Sequence, residues 1–289
     1  MHAFHMLCAV LLAAIWGLNF VFIQIALQDM SALMLCTLRF FFASVPVLLF
    51  FRPPKTSLKL LVCYGLLIFA LQFLFLFLGI QAGVTPGLAG LLVQTQVFFS
   101  LFFAVIILKE RILAWQVIGA IVAFSGVVII FMHVSGEVSV FGLLLIMCAS
   151  LSWGLGSLLI KKIGVVDPMS LVVWGSFVAF TPLSMLVLWI EGPGAVRELR
   201  HISSAGLISV LYIAYASTWV GYGLWNWLLA RYTIGMLVPF TFLVPIFAML
   251  GSILILHETL YPWKILASVL VLLGLCLNLF SQKRLGTRP

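Results

Sequence analysis

Few residues in this chain could bind a polar ligand, and their scarcity makes them informative. Tyr212, Tyr215, Trp219, Tyr222 and Asn226 recur at spacings of three and four, which places them on one face of an α-helix. Such a stripe offers rings, hydroxyls and an amide to a small amphiphilic molecule; it would serve equally as an aromatic packing seam. Trp16 and Asn19 are three apart and share a face, and Trp153 repeats the Trp-Gly context of Trp16. Gln72, Gln94 and Gln96 are further amides inside apolar stretches. The last two diverge by roughly 160° on a helix, so at most one can face a common cavity squarely. Arg39 is the one permanent charge well inside an apolar run. A guanidinium there could hold a carboxylate by two parallel hydrogen bonds, or it could be offset by backbone carbonyls or by snorkelling outward.

Other chemistries are excluded by what is missing. Asp29, Glu110, Glu137, Asp167, Glu191, Glu198 and Glu258 all fall at or near the ends of apolar runs. Glu110 and Glu258 read as solvated boundary residues, with gate contacts as the alternative. There is no HExxH and no pair of carboxylates within a run, and the histidines sit near ends or loops, so neither a catalytic cluster nor a metal site is expected. Cys8, Cys36, Cys63, Cys148 and Cys276 lie singly in apolar runs with no CxxC pair, which reads as packing. No cofactor is expected. A buried carboxylate is a common proton relay in coupled carriers; its absence suggests a substrate moving down its own gradient.

The elements that position these residues follow from composition. Of 289 residues, 65% are hydrophobic and 8% charged, with a mean hydropathy of +1.31. A soluble fold is about half apolar and a quarter charged, so a lipid bilayer must be the solvent for most of this chain. A span takes about 20 apolar residues. Breaks at charges, Gly, Pro and polar clusters give ten, at 5–28, 32–51, 58–81, 87–108, 112–132, 141–161, 169–190, 205–230, 235–256 and 260–280. The fold class is therefore an all-α, multi-pass membrane protein, with 1–289 as one transmembrane domain. The first run lacks a basic flank and exceeds a signal-peptide core, so it is expected to remain as a helix.

The net charge of +8 could suggest nucleic acid, but the basic residues are split among short loops, and no nucleic-acid partner is expected. Arg52, Lys55, Lys59, Lys109, Arg111, Lys161, Lys162, Arg231, Lys283, Arg284 and Arg288 fall on the side of the two termini. Only Arg197, Arg200 and Lys264 fall on the other. Positive loops stay in the cytoplasm, which predicts cytoplasmic N- and C-termini.

The chain also repeats itself. Trp16-Gly17 recurs as Trp153-Gly154, an offset of 137. Phe40, Ala43 and Pro46 are answered by Phe177, Ala179 and Pro182. Beyond the third span the offset is 148: Tyr64 and Tyr212, Gly87 and Gly235, Phe99 and Phe247, Glu110 and Glu258, Trp115 and Trp263, Gly126 and Gly274. Five helices per half, 5–132 and 141–280, invert the second half relative to the first. Inverted repeats are a transporter architecture with a central site; a receptor or scaffold does not call for them.

In this arrangement the chain resembles the drug/metabolite transporter superfamily and its EamA family. The similar stretches are Trp16 to Val21, Leu33 to Leu35, Leu38-Arg39-Phe40, Gln72-Phe73, Phe75 to Phe77, Gly87 to Ala89 and Gln94 with Gln96. In the second half they are Val220 to Gly223, Arg231-Tyr232 and Leu243-Val244-Pro245. The resemblance implies efflux of small amino acids or their metabolites, of the cysteine and O-acetylserine kind, across an inner membrane, and it favours Trp16 and Trp153 as pathway residues. Leu224-Trp225-Asn226-Trp227 is bulkier than this pattern. The ring-rich eighth helix keeps open an alternative, export of aromatic or cationic toxic compounds. The oligomeric state is left open, and a monomer would suffice.

Overall fold

A backbone in lipid must satisfy its own N–H and C=O groups, and the apolar runs do so as helices. The computed structural model describes residues 1–110, 112–133, 139–192, 194–195 and 199–285. Among these residues ten helices are long and apolar enough to span: α1 Ala3–Ala26, α2 Ala32–Phe50, α3 Leu58–Gln81, α4 Pro86–Leu108, α5 Ala114–Met132, α6 Val140–Ile160, α7 Pro168–Glu191, α8 Ser204–Leu229, α9 Met236–Leu256 and α10 Pro262–Leu279. No strand occurs among the described residues. The polar residues between runs become N-caps: the side chains of Ser31, Ser57, Ser139, Asp167 and Ser203 each accept from an amide three residues on. Such caps satisfy donors left over at a helix start.

Several spans are not regular α-helix. α2 finishes as a 3-10 turn from Val45, directly before Pro46. α3 contains a π-helical stretch at Gly65–Leu71 and α8 a longer one at Tyr212–Val220. α4 tightens to 3-10 at Val93–Thr95, and α9 breaks at Phe242 between Pro239 and Pro245. The irregular stretches of α3 and α8, and the breaks of α4 and α9, occupy positions matched by the 148 offset. So do Lys109 and His257, the only two non-glycine residues with left-handed backbone among the described residues, at φ 56° and 55°.

Packing follows the same correspondence. The main pairs are α5 with α10, α1 with α9, α2 with α7, α3 with α6, α4 with α6, α4 with α9 and α1 with α8. Exchanging each helix with the one five places away maps every pair onto a pair in this set. The Trp-Gly motif has a steric reason here. A Cβ at Gly17 would stand 2.5 Å from Phe247 Cβ on α9, and one at Gly154 would stand 2.7 Å from Phe99 Cβ on α4. Without a side chain, α1 and α6 can lie directly on their partners, as small residues allow between membrane helices.

Candidate functional site

The centre of the bundle is built around Arg39. One turn inward from Cys36 on α2, its side chain does not snorkel: it is 2% exposed. The guanidinium carbon lies 3.8 Å from the centroid of the Phe73 ring on α3 and 5.7 Å from that of Phe40. Stacking on a ring face offsets part of the desolvation of a cation, but it leaves the N–H groups unused. Arg39 Nε and Nη1 have no hydrogen-bond partner. An ionised group buried in this way is costly unless something pairs with it.

Aromatic walls surround this cation. Phe40 touches Phe69 and Phe73, at ring separations of 5.6 and 5.8 Å. Phe69 also meets Tyr64 at 5.5 Å and Tyr222 at 6.3 Å. Tyr222 in turn packs edge-on against Trp16 at 5.8 Å. Trp16, Arg39 and Tyr222 are thus brought into one cluster, as their residue types suggested. Tyr64, Phe69 and Phe73 complete it, and sequence reasoning did not single them out as ligand-facing groups. Phenylalanine is too common here to signal a site. The available clue was adjacency, since Phe73 follows Gln72.

The buried amides divide into two sorts. Asn19 and Gln72 are 5% and 6% exposed, and each has a carbonyl oxygen without a partner. They come from α1 and α3, which pack on each other and on the helices carrying Tyr222 and Arg39. Gln96 Oε1 is likewise unpartnered. Gln94 is spent on structure: its Nε2 donates to Thr241 O at 3.4 Å, bridging the interruptions of α4 and α9.

The expectation of a single aromatic face on α8 needs correcting. A π-helical stretch has more residues per turn than the 3.6 on which that face was laid out, so residues at α spacing rotate apart. Tyr215 is 39% exposed, on the periphery beside Phe42. Tyr212 stacks on Phe22 at 3.9 Å and donates to Ile15 O. Trp219 donates to Ala43 O at 3.2 Å and meets Phe51, bracing α8 against α2. Asn226 points at Met169 Sδ on α7. Only Tyr222 of the stripe reaches the Arg39 cluster. Trp153 is half-buried against the core and takes part in no ring pair or hydrogen bond among the described residues.

The two acidic boundary residues also part company. Glu110 is exposed, its backbone N–H bonding Ala104 O. Glu258 is mostly covered: it accepts from Ser252 Oγ on α9 and pairs with Lys264 Nζ on α10 at 2.8 Å. Lys264 is 4% exposed and sits inside the first turn of α10, so it is not the free loop charge that its position in sequence implied. Arg111, Glu137 and Glu198 lie outside the described residues.

Ten crossings put both ends of the chain on one face. There, His5 Nδ1 bonds the Tyr232 hydroxyl at 2.6 Å, and the His5 ring meets Trp227 edge-on at 4.9 Å. On the opposite face, Asp29 Oδ2 accepts from the amide and hydroxyl of Ser203, and Ser31 Oγ donates to Glu191 at 2.5 Å. No cluster of three metal-ligating side chains occurs among the described residues.

A ring-lined cation with unused donors has the chemistry to bond a carboxylate, and the comparisons with known proteins identify the family. The EamA-like transporter family matches twice, at residues 3–132 and 140–280. A "Probable amino-acid metabolite efflux pump" of Salmonella typhimurium is 36% identical over 280 residues, covering 94% of each chain. One of the same description from Escherichia coli is 36% identical over 282 residues, covering 95% of this chain and 94% of the relative. A crystal structure 17% identical in sequence superposes with a TM-score of 0.64, covering 96% of this chain and 99% of the other, and shows that the fold is shared. With its ten spanning helices and a family match along nearly its whole length, the chain belongs to the EamA-like transporter family and is a multi-pass membrane transporter rather than an enzyme.

Proposed function

We propose that this transporter exports small zwitterionic amino acids or their metabolites from the cytoplasm across the inner membrane, one molecule at a time, through the Arg39 cluster. The observation that carries this reading is the buried guanidinium with two unused donors. A carboxylate can accept a charge-assisted hydrogen bond from either of them. The Asn19 and Gln72 oxygens are acceptors of the kind an ammonium group needs, and Tyr222 and Trp16 supply apolar cover. The relatives described as amino-acid metabolite efflux pumps support the same substrate class.

The movement we propose is alternating access between two inverted five-helix halves, 5–132 and 141–280. The matched interruptions of α4 and α9, the matched left-handed residues, the interchangeable packing pairs and the double family match all support it. Positive loops on the face of the termini support cytoplasmic ends. Export of cationic compounds, the competing reading, runs against the charge at the centre. Among the described residues the acids lie at the ends of spans, away from the Arg39 cluster, whereas Arg39 would repel a bound cation. Glu258 is engaged by Lys264, which supports substrate flow down its own gradient without an obligatory proton.

Counterflow in proteoliposomes tests the proposal. Radiolabelled cysteine and O-acetylserine are expected to exchange, and aromatic amino acids to exchange more slowly. Exchange of organic cations in preference to these zwitterions would overturn the reading, and fixed-stoichiometry proton flux would overturn its uncoupled mechanism.

A further inference from the structure

A narrow apolar crevice opens on the terminus-bearing side between α1, α8 and α9. Ala9, Leu12 and Ala13 form one wall, Trp225 and Leu228 the second, and Leu237 and Phe240 the third. Its inner end is Trp16, which lines the crevice and also touches Tyr222 of the Arg39 cluster. One indole therefore stands between the crevice and the buried cation. Two features hold it there. Trp16 Nε1 donates to Ser217 O at 3.1 Å, within the π-helical stretch of α8. Gly221, one turn further along, leaves room for the ring: a Cβ there would stand 3.2 Å from Trp16 Cδ1 and closer still to Nε1.

The offset-matched region on the opposite face is packed more completely at its rim. Ala9, Leu12 and Ala13 correspond to Ile146, Ala149 and Ser150 on α6, all wholly buried. Trp225 and Leu228 correspond to Phe77 and Ile80 on α3, and Phe240 to Leu92 on α4. These are no more than 1% exposed, and Ser150 Oγ donates to Leu92 O. Ala9, Leu12, Ala13 and Leu228 are nearly as buried as these counterparts, so the halves differ at the rim, where Trp225 and Phe240 are half-buried and Phe77 and Leu92 wholly buried.

We propose that the α1/α8/α9 crevice is the vestibule through which substrate reaches the Arg39 cluster from the terminus-bearing face, and that Trp16 is its door. This rests on the transport reading above and adds to it a path and a side. The carboxylate of an incoming zwitterion draws it toward Arg39 once the indole swings aside. The packed α3/α4/α6 junction meanwhile denies passage to the other face.

Accessibility measures this without any transported substrate, so the result is independent of what the protein carries. Cys36, wholly buried one turn from Arg39, is kept as the only thiol after Cys8, Cys63, Cys148 and Cys276 are replaced by serine. A membrane-impermeant, anionic methanethiosulfonate is applied to vesicles of each orientation, sorted by exposure of an N-terminal tag. Trp16→Ala is expected to raise labelling of Cys36 from the terminus-bearing face at least tenfold and to leave labelling from the opposite face unchanged. Trp153→Ala, the offset-matched change, is expected to alter neither. Gly221→Ala tests the door with the indole still present, because the added methyl displaces the ring; it too should raise labelling from the terminus-bearing face alone. No rise in either Trp16→Ala or Gly221→Ala, or equal rises from both faces, would overturn the proposal.

Discussion

The junction of α1 with α8 and that of α6 with α3 are made of offset-matched residues, yet they are closed by different physics. At the second, Gly142 lies against the backbone of Gly79, so that a Cβ on it would stand 2.8 Å from Gly79 O and 2.8 Å from Val84 Cγ2. Backbones at that distance gain dispersion along their whole contact and leave no polar group to solvate. At the matching positions of the first junction stand His5, Trp227 and Tyr232. They hold the helices apart by ring edges and close the gap with hydrogen bonds of the Tyr232 hydroxyl to His5 and to the His2 amide near the surface. A hydrogen bond of this sort is worth about 0.5–1.5 kcal/mol and an aromatic edge contact a similar amount. The glycine junction is a seal and the aromatic junction a latch, and a transporter needs one of each at any moment.

The comparison can be broken at its centre. Replacing Arg39 by alanine removes the charged donors toward which the latch opens, and hydrogen bonds to charged groups contribute about 1.5–3 kcal/mol. Counterflow should fall roughly 10- to 150-fold, while Arg39→Lys, which keeps the charge but not the fork, retains an intermediate rate. Unchanged counterflow in the alanine variant would remove Arg39 from the site.

Next comes the seal. Gly142→Val should overpack the α3–α6 contact at a cost of about 1–3 kcal/mol, read as a lower thermal midpoint in detergent. His5→Val at the matched position should leave that midpoint within about 0.5 kcal/mol. Equal losses would mean that the two junctions are alike after all.

Much of this was legible in the chain. All ten spans lie within about two residues of the boundaries read from composition, because length and hydropathy decide what crosses lipid. The Trp16-Gly17 motif was visible, and its cause, Gly17 against Phe247, is a packing fact that no single sequence prints. The α8 stripe was half legible. Its residue types were right, but a π-helical stretch has no reliable local signature, and it turns Tyr215 and Trp219 off the face of Tyr222. Lys264 was read as a loop charge because it follows the loop residues Thr259 and Leu260 closely. Only the fold reveals that the connection from α9 turns back and sets Glu258 against Lys264. The amides were legible as costly groups. Which of them is spent on structure, as Gln94 is on Thr241, depends on where two broken helices cross.

A smaller effect sharpens the latch. Tyr232→Phe removes the hydroxyl that bonds His5 and the His2 amide while keeping the ring. Initial exchange rates should change by no more than about threefold, and a change above tenfold would assign the hydroxyl a larger part than a latch. The smallest effect compares the loops. Asp29 joins α1 to the start of α8 across the bundle, whereas Asp167, its counterpart between α6 and α7, caps its own helix. Hydrogen bonds from Ser170 hold the Asp167 carboxyl below its ordinary range against partial burial. A depressed carboxyl stabilises the fold above its unfolded pKa of about 3.9 and loses that contribution as pH falls through the folded value. Asp167→Asn should therefore cost little and evenly between pH 5 and 8, with the gap from the parent protein narrowing below about pH 4 in thermal melts.

The most direct measurement is competition for counterflow by three relatives of one amino acid: the zwitterion itself, its carboxamide and its methyl ester. Only the zwitterion offers a carboxylate to the Arg39 guanidinium, so it alone should compete, and its advantage should vanish in Arg39→Ala protein. Equal competition by the cationic amide and ester would contradict a site organised around a buried guanidinium.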